Sequence, residues 1–219
     1  MVPVESSMTD RLAKLHSSAV HDVLKQLGMD NFVLPANIRP LDTSIILAGP
    51  VFTVEGEITA DLSAHETLIE WTSFLSAVPA EHVTVCQPHN EEIALMGELS
   101  AETLQKRNVL GYIVDGGCRD VATIKKLHFP VFHTFFSPKD VVGRWVPTKL
   151  GEPITIGDCS IKTGDFILAD IDGIVVIPEK KAEEVVTRSE KVLRTENLVR
   201  KAILDGMDPQ KAYLEYGKF

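Results

Sequence analysis

The chain has 219 residues, 44% of them hydrophobic, which is enough apolar material to bury a full core and excludes a disordered class. Its 31 acidic against 22 basic residues leave a net charge of −9, and no Lys/Arg cluster is interleaved with aromatics, so a nucleic-acid partner is not expected. No apolar run reaches membrane-spanning length and the first ten residues lack a basic-then-apolar leader, a pattern that reads as cytoplasmic with no membrane partner. Cys86, Cys118 and Cys159 are odd in number and widely spaced, which fits reduced thiols rather than bridges or a zinc cage. The seven histidines form no paired metal spacing, so His65, His89 and His133 are given structural roles.

In chain order, apolar residues from Leu12 to Leu27 at three- and four-residue spacings predict one amphipathic helix over 9–27, capped by Thr9 or Asp10 and stopped by Gly28. A β-rich run follows over 45–54, then a helix over 64–77 closed by Pro79. From there strands and helices alternate, with a strand over 82–86, a helix over 93–106, a strand over 110–114, a helix over 121–127 and a strand over 131–135. That order predicts parallel strands with right-handed crossovers. Beyond Pro138 the pattern changes to short strands over 154–156, 159–161, 166–170 and 173–177, separated by Gly and Asp and expected to be antiparallel. A long helix over about 179–205 ends at Gly206, and Asp208-Pro209 opens a short one over about 209–216. No repeat or linker is visible, so residues 1–219 read as one domain with a helical tail.

The stretch from Gly111 to Asp120 carries the most chemistry. A buried strand stops at Asp115-Gly116-Gly117 and delivers Arg119 and Asp120 beyond its carboxyl end, where open α/β sheets place ligands. A guanidinium fork for a carboxylate beside a hard oxygen ligand for a divalent cation suits a 2-oxo acid. Asp120 serves equally well as the cap of the following helix, with Arg119 in a surface ion pair. Glu98 stands one strand–helix unit earlier, with twenty residues between it and Arg119, and reads either as a site acid or as a first-turn glutamate favoured by the helix dipole. Asp115 reads as a turn residue, Cys118 as packing, and Asp170-Ile171-Asp172-Gly173 as a hairpin turn rather than a calcium loop.

Gly97-Glu98-Leu99, the gap to Arg119-Asp120, Phe129-Pro130-Val131-Phe132, Gly164-Asp165 and Ala169 through Pro178 together resemble the RraA-like family. That family includes class II 4-hydroxy-4-methyl-2-oxoglutarate / 4-carboxy-4-hydroxy-2-oxoadipate aldolases and regulators of ribonuclease activity. The resemblance spans most of the chain. It implies an α-β-β-α sandwich similar to the phosphohistidine swivelling domain, a homotrimer or hexamer, and a metal-dependent site at a subunit interface. By position it implies that Asp120 anchors Mg²⁺ or Mn²⁺, that Arg119 grips the carboxylate of the oxo acid, and that Glu98 is the motif's acid, with amides near Glu98 and Leu99 assisting. Glu196 on the long helix is a further candidate for orienting metal-bound water from a neighbouring subunit. The chain departs from the family by carrying Glu98 where some aldolases have Asp, by lacking a Gly-Gly loop before Gly97, and by an insert-like segment over 61–78 containing Trp71 and Phe74.

The expected reaction is cleavage of a 4-hydroxy-2-oxo acid to pyruvate and a carbonyl product, with oxaloacetate decarboxylation as a side activity. No lysine is required, and Lys125, Lys126 and Lys139 are expected at the surface. A sugar-acid (2-keto-3-deoxy acid) aldolase or dehydratase would use the same chemistry, and a non-catalytic ribonuclease regulator is the alternative from another class.

Overall fold

A computed structural model of the chain describes residues 6–60 and 62–218. The leader reading of the first ten residues and the start of the 61–78 segment lie partly outside them. The elements are α1 (Met8–Leu12), α2 (Ser17–Gln26), β1 (Arg39–Pro40), β2 (Leu47–Ile58), α3 (Ala64–Ala77), β3 (Val83–Gln87), α4 (Glu98–Lys106), β4 (Gly111–Val114), β5 (Gly117–Cys118), α5 (Val121–Leu127), β6 (Val131–His133), β7 (Phe135–Phe136), β8 (Trp145–Leu150), β9 (Ile154–Ile156), β10 (Cys159–Ile161), β11 (Phe166–Ala169), β12 (Ile174–Ile177), a 3₁₀ turn (Glu179–Lys181), α6 (Ala182–Leu204) and α7 (Pro209–Tyr216).

The main sheet runs β1-β6-β4-β3-β2-β11-β12, with β8 also paired to β2. Pairs β2–β3, β3–β4 and β4–β6 are parallel, whereas β11–β12 and β9–β10 are antiparallel, as the alternating and then turn-punctuated pattern predicts. The long β2 pairs with β11 at its start and with β3 and β8 further on, so its two ends serve different layers. Leu47 and Val51 face a central cluster shared with Val83, Val85, Ile113, Phe132 and the β9–β10 hairpin. On the opposite face Ala48 packs with α1, α2 and α6, while Val54 packs with α3, α4 and α5. Helices therefore flank two β layers, an α-β-β-α sandwich.

Several elements depart from the pattern. The helix over 9–27 is two helices, with Ser7 rather than Thr9 or Asp10 as first cap; Asp10 is its partner in a capping box. The chain breaks at His16 because the start of α2 is capped from outside. Buried Asp170 accepts from Ser17 N at 2.8 Å and Ser17 Oγ at 2.6 Å. The apolar spacing persists across the break because Leu12, Leu15, Val20 and Leu24 all enter one cluster. The helix over 93–106 begins only at Glu98, since residues 93–96 form a buried, irregular segment whose backbone is used elsewhere. Leu95 N donates to Gly117 O and Met96 O accepts from Arg119 N, both at 2.9 Å. The strand over 131–135 splits at Thr134, and β7 pairs with β5. Strand β8, absent from the sequence reading, is admitted by a bulge at Glu55/Gly56, where glycine leaves room for the Trp145 ring. The long helix opens with the 3₁₀ turn, and α7 starts at Pro209 under Asp208 as cap.

Candidate functional site

The irregular segment over 93–96 lies beside β5 and the Arg119 backbone, and this brings Gly97-Glu98 against Arg119-Asp120. Asp120 is the pivot. Its backbone is left-handed (φ 55°, ψ 32°), and its side chain makes no cap to its own helix α5. The carboxylate turns to α4 instead, where Oδ2 accepts from Glu98 N at 3.1 Å. The two readings of Asp120 thus meet in an unexpected form: it is a cap, but of the preceding helix, and so stands at the positive end of the α4 dipole.

Arg119 lies between two carboxylates, with Nε 3.4 Å from Asp120 Oδ2 and Nη1 3.6 Å from Asp140 Oδ2. All three side chains are between 35% and 42% exposed, so these pairs add little to stability and leave the guanidinium open to a ligand. The Glu98 carboxylate and Asp120 Oδ1 have no hydrogen-bond or ion-pair partner among the described residues. Leu99 is 74% exposed. The first-turn amides of an α-helix have no acceptor within the helix, and the residues of that turn, Leu99 and Ser100, border the same cleft.

Glu98, Leu99, Arg119 and Asp120 all line one cleft of about 490 Å³, with Asp140 and a wall from α3 that includes Leu68, Trp71 and Leu75. A second depression of about 330 Å³, beside Phe136 and Pro138, lies against the same Arg119-Asp120 pair. A wider one of about 620 Å³ sits by His21, Lys25, Asp30 and Asp158, away from the Arg119-Asp120 pair.

Sequence reasoning missed Asp140, whose only signal was its position after Ser137-Pro138-Lys139 in a turn-rich stretch. Trp71 reaches the cleft as the 61–78 segment suggested, whereas Phe74 is fully buried. Glu196 lines a separate depression and pairs with Lys218 at 3.4 Å. Asp115 accepts from Gln87 Nε2 at 3.2 Å, outside the cleft.

Burial, then the charge of Asp120, pushes the Cys118 thiol up to about 12, so it stays protonated. Lys125, Lys126 and Lys139 are exposed, and no lysine among the described residues is buried. His89 bonds Glu55 at 2.8 Å, and His133 is buried against Phe136 with ring centroids 4.4 Å apart. Asp165 and Asp170, both in motif segments, act as caps: Asp165 accepts from Lys162 N and Glu179 N.

As a metal site, no group of three His, Cys, Asp or Glu side chains among the described residues is placed so that all three could hold one metal ion. A closed protein cage is therefore not built here. One unpaired carboxylate oxygen in an open polar cleft instead fits a hard, water-rich cation of the magnesium type, which needs only one or two protein carboxylates.

These features define an α/β sandwich protein with a polar cleft beyond the carboxyl ends of its parallel strands β3 and β4. The family model RraA-like, described as Aldolase/RraA, matches residues 17–176, and the chain belongs to that family. Protein DlpA of Legionella pneumophila is 27% identical over 216 residues, covering 96% of this chain but 34% of its own length, so this chain spans about a third of that relative. A protein of Halalkalibacterium halodurans named "Putative 4-hydroxy-4-methyl-2-oxoglutarate aldolase" is 26% identical over 219 residues, 98% of this chain and 97% of its own. The structure of Streptomyces coelicolor RraAS2, described as an unusual member of the RNase ES inhibitor RraA protein family, shares the fold. Its TM-score is 0.80 at 24% identity, over 89% of this chain and 96% of that one. No helix among the described residues is long and apolar enough to cross a membrane.

Proposed function

We propose that this protein is a class II, divalent-metal-dependent aldolase that cleaves a 4-hydroxy-2-oxo acid to pyruvate and a carbonyl product, and also decarboxylates oxaloacetate. The observation that carries this reading is the adjacency, in one cleft, of the half-open Arg119 guanidinium and an Asp120 carboxylate with one oxygen unpaired. Asp120, completed largely by water, would hold Mg²⁺ or Mn²⁺, which when bound supplies Lewis-acid stabilisation of the charge developing on the 2-oxygen, worth several kcal/mol in general.

The other parts fall to the chain itself. Arg119 holds the substrate carboxylate in a fork and fixes its orientation. The amides of Leu99 and Ser100, at the positive end of α4, add donors for the oxo-acid oxygens. Glu98, whose carboxylate is otherwise unpaired, takes the 4-hydroxyl proton through an intervening water. The C3–C4 bond then breaks, its electron pair passes to C3 as the enolate of pyruvate, and protonation at C3 completes the product. Oxaloacetate loses CO₂ to give the same enolate.

The aldolase name carried by the Halalkalibacterium relative supports this class of reaction. The reading includes a homotrimer or hexamer in which a neighbouring copy completes the site. The exposed apolar side chains of Leu68, Leu99 and Phe136 beside the two depressions support it.

The test is pyruvate release from oxaloacetate and from a panel of 4-hydroxy-2-oxo acids with Mg²⁺, coupled to lactate dehydrogenase. Expected are turnover that EDTA abolishes and that added Mg²⁺ or Mn²⁺ restores, and loss of turnover in Arg119→Ala. Activity undiminished by EDTA refutes the metal role. Release from 2-keto-3-deoxy sugar acids alone would reassign the substrate, and no release from any member would favour the ribonuclease-regulator reading.

A further inference from the structure

Asp140 is the one charged residue of the cleft that the proposed chemistry leaves without a part. Its carboxylate is divided between two partners. Oδ1 accepts from Val142 N at 3.3 Å, which ties the side chain to its own loop, and Oδ2 stands 3.6 Å from Arg119 Nη1. Asp120 Oδ2 stands 3.4 Å from Nε of the same guanidinium, so the two carboxylates meet it at different nitrogens.

The loop that carries Asp140 is fixed on both sides. Before it, Lys139 O accepts from Ala94 N at 2.9 Å. After it, Val141 is buried and its O accepts from Trp145 N at 3.1 Å, while Gly143 N donates to Thr67 Oγ1 at 2.8 Å. Ala94 belongs to the same 93–96 segment whose Met96 O holds Arg119 N. One short stretch of backbone therefore sets the place of the arginine and of the carboxylate that faces its Nη1.

A half-exposed pair of this length adds little to stability, and a carboxylate beside an arginine that binds an anion repels the arginine's own ligand. From this arrangement we infer that Asp140 is a positioning residue, which orients the Arg119 guanidinium for the substrate carboxylate and acts on the substrate only through it. The inference rests on the oxo-acid reading of Arg119 and adds a residue to that site. An arginine side chain has many rotamers, and a second anchor at Nη1 removes much of that freedom before the ligand arrives.

The sign of the Asp140→Asn effect separates positioning from mere proximity. Asparagine keeps an oxygen for Val142 N and presents a neutral amide to Arg119, so the turn survives and the anchor is lost. Asp140→Ser, which also keeps an oxygen near Val142 N, is the second variant, and calorimetric unfolding checks both folds. A bystander charge, once removed, would leave an anionic ligand tighter by up to about fivefold. Positioning gives the reverse. Expected are roughly tenfold weaker binding of 2-oxobutanoate to the Mg²⁺-loaded protein by titration calorimetry, and kcat/KM for oxaloacetate lowered roughly ten- to hundredfold, with Asp140→Glu recovering part of both. In an Arg119→Lys background, where no fork remains to be oriented, Asp140→Asn should change kcat/KM by less than about twofold. Unchanged or tighter 2-oxobutanoate binding in Asp140→Asn overturns the inference, as does an undiminished loss in the Arg119→Lys background. Wild-type turnover that Arg119→Ala abolishes leaves the oxo-acid reading standing in either case. A wild type that neither binds 2-oxobutanoate nor decarboxylates oxaloacetate overturns the inference together with the reading it rests on.

Discussion

Gly97→Ala separates the geometry of the site from the stability of the fold. Gly97 is the N-cap of α4 at φ −139°, ψ 177°, an extended conformation that alanine adopts freely, so the backbone gives no reason to require glycine. The neighbours do. An ideal Cβ there would lie 2.8 Å from Asp120 Oδ2, 3.1 Å from Arg119 Nε and 3.3 Å from Arg119 Cγ, where ordinary contact begins at 3.4 Å. The Arg119 and Asp120 side chains must both retreat by a few tenths of an ångström, and the Asp120–Glu98 bond of 3.1 Å lengthens or breaks. Misplacements approaching 1 Å cost up to about a hundredfold, so kcat/KM should fall roughly ten- to hundredfold, about 1.4–2.7 kcal/mol of transition-state stabilisation. The folded state should lose only about 0.5–1 kcal/mol, because alanine is a poorer N-cap than glycine, which corresponds to roughly 1–4 °C in Tm. The assays are coupled pyruvate release and calorimetric unfolding on the same preparation. Wild-type kcat/KM in Gly97→Ala would refute the claim that the Arg119-Asp120 arrangement seen here is the working one.

Asp120→Asn should keep the α4 cap through its amide oxygen and hence its unfolding free energy within about 1 kcal/mol, while losing metal-dependent turnover by at least ~10²-fold; manganese binding followed by paramagnetic relaxation checks the cause. Asp170→Ala strips a buried acceptor from Ser17 N, Ser17 Oγ and Asp172 N. It should cost about 2–4 kcal/mol in denaturant unfolding without altering kcat per folded molecule. Burial holds the His133 imidazole below its ordinary value of 6.5. Its neutral form therefore contributes stability that is complete above pH 6.5 and lost as pH falls through the interval beneath it. Relative to His133→Phe, the wild type should weaken over that interval in pH-stepped urea unfolding; parallel pH curves would contradict the assignment.

The fold was legible where local pattern and tertiary use agree. Residues 121–127 and 64–77 form helices within the predicted bounds because their apolar faces are local, and on α3 Ser63 and Glu66 also close a capping box. The hairpin at Asp170–Gly173 was legible for the same reason. What the pattern could not show was backbone spent across the chain. Ile93–Met96 has a helical apolar rhythm, yet its amides and carbonyls bond Gly117, Arg119 and Lys139, partners that no window of sequence contains. The break at His16 depends likewise on Asp170, more than 150 residues away. In the site, the Arg119-Asp120 pair and Glu98 stood out by type and spacing, whereas Asp140 did not, because its place beside Arg119 follows from the path of the loop before β8 rather than from any local periodicity.

The left-handed backbone at Asp120 connects these two levels. In that conformation the carboxylate is directed off its own helix, α5, and onto the amide of Glu98 at the start of α4, which an ordinary N-cap geometry would not allow. Aspartate tolerates this region better than most residues, but at a cost that persists only when surrounding structure fixes it. Here the fixing is visible: Arg119 N is held by Met96 O, Leu95 N by Gly117 O, and the two segments cannot slide past one another without breaking both. The stability of the sandwich thus holds one residue in a strained pose, and that pose makes a helix cap into a half-free carboxylate beside a guanidinium. A substitution that relaxed the strain would return Asp120 to its own helix and empty the cleft of its anchoring oxygen, which ties the proposed chemistry to the fold through a single dihedral.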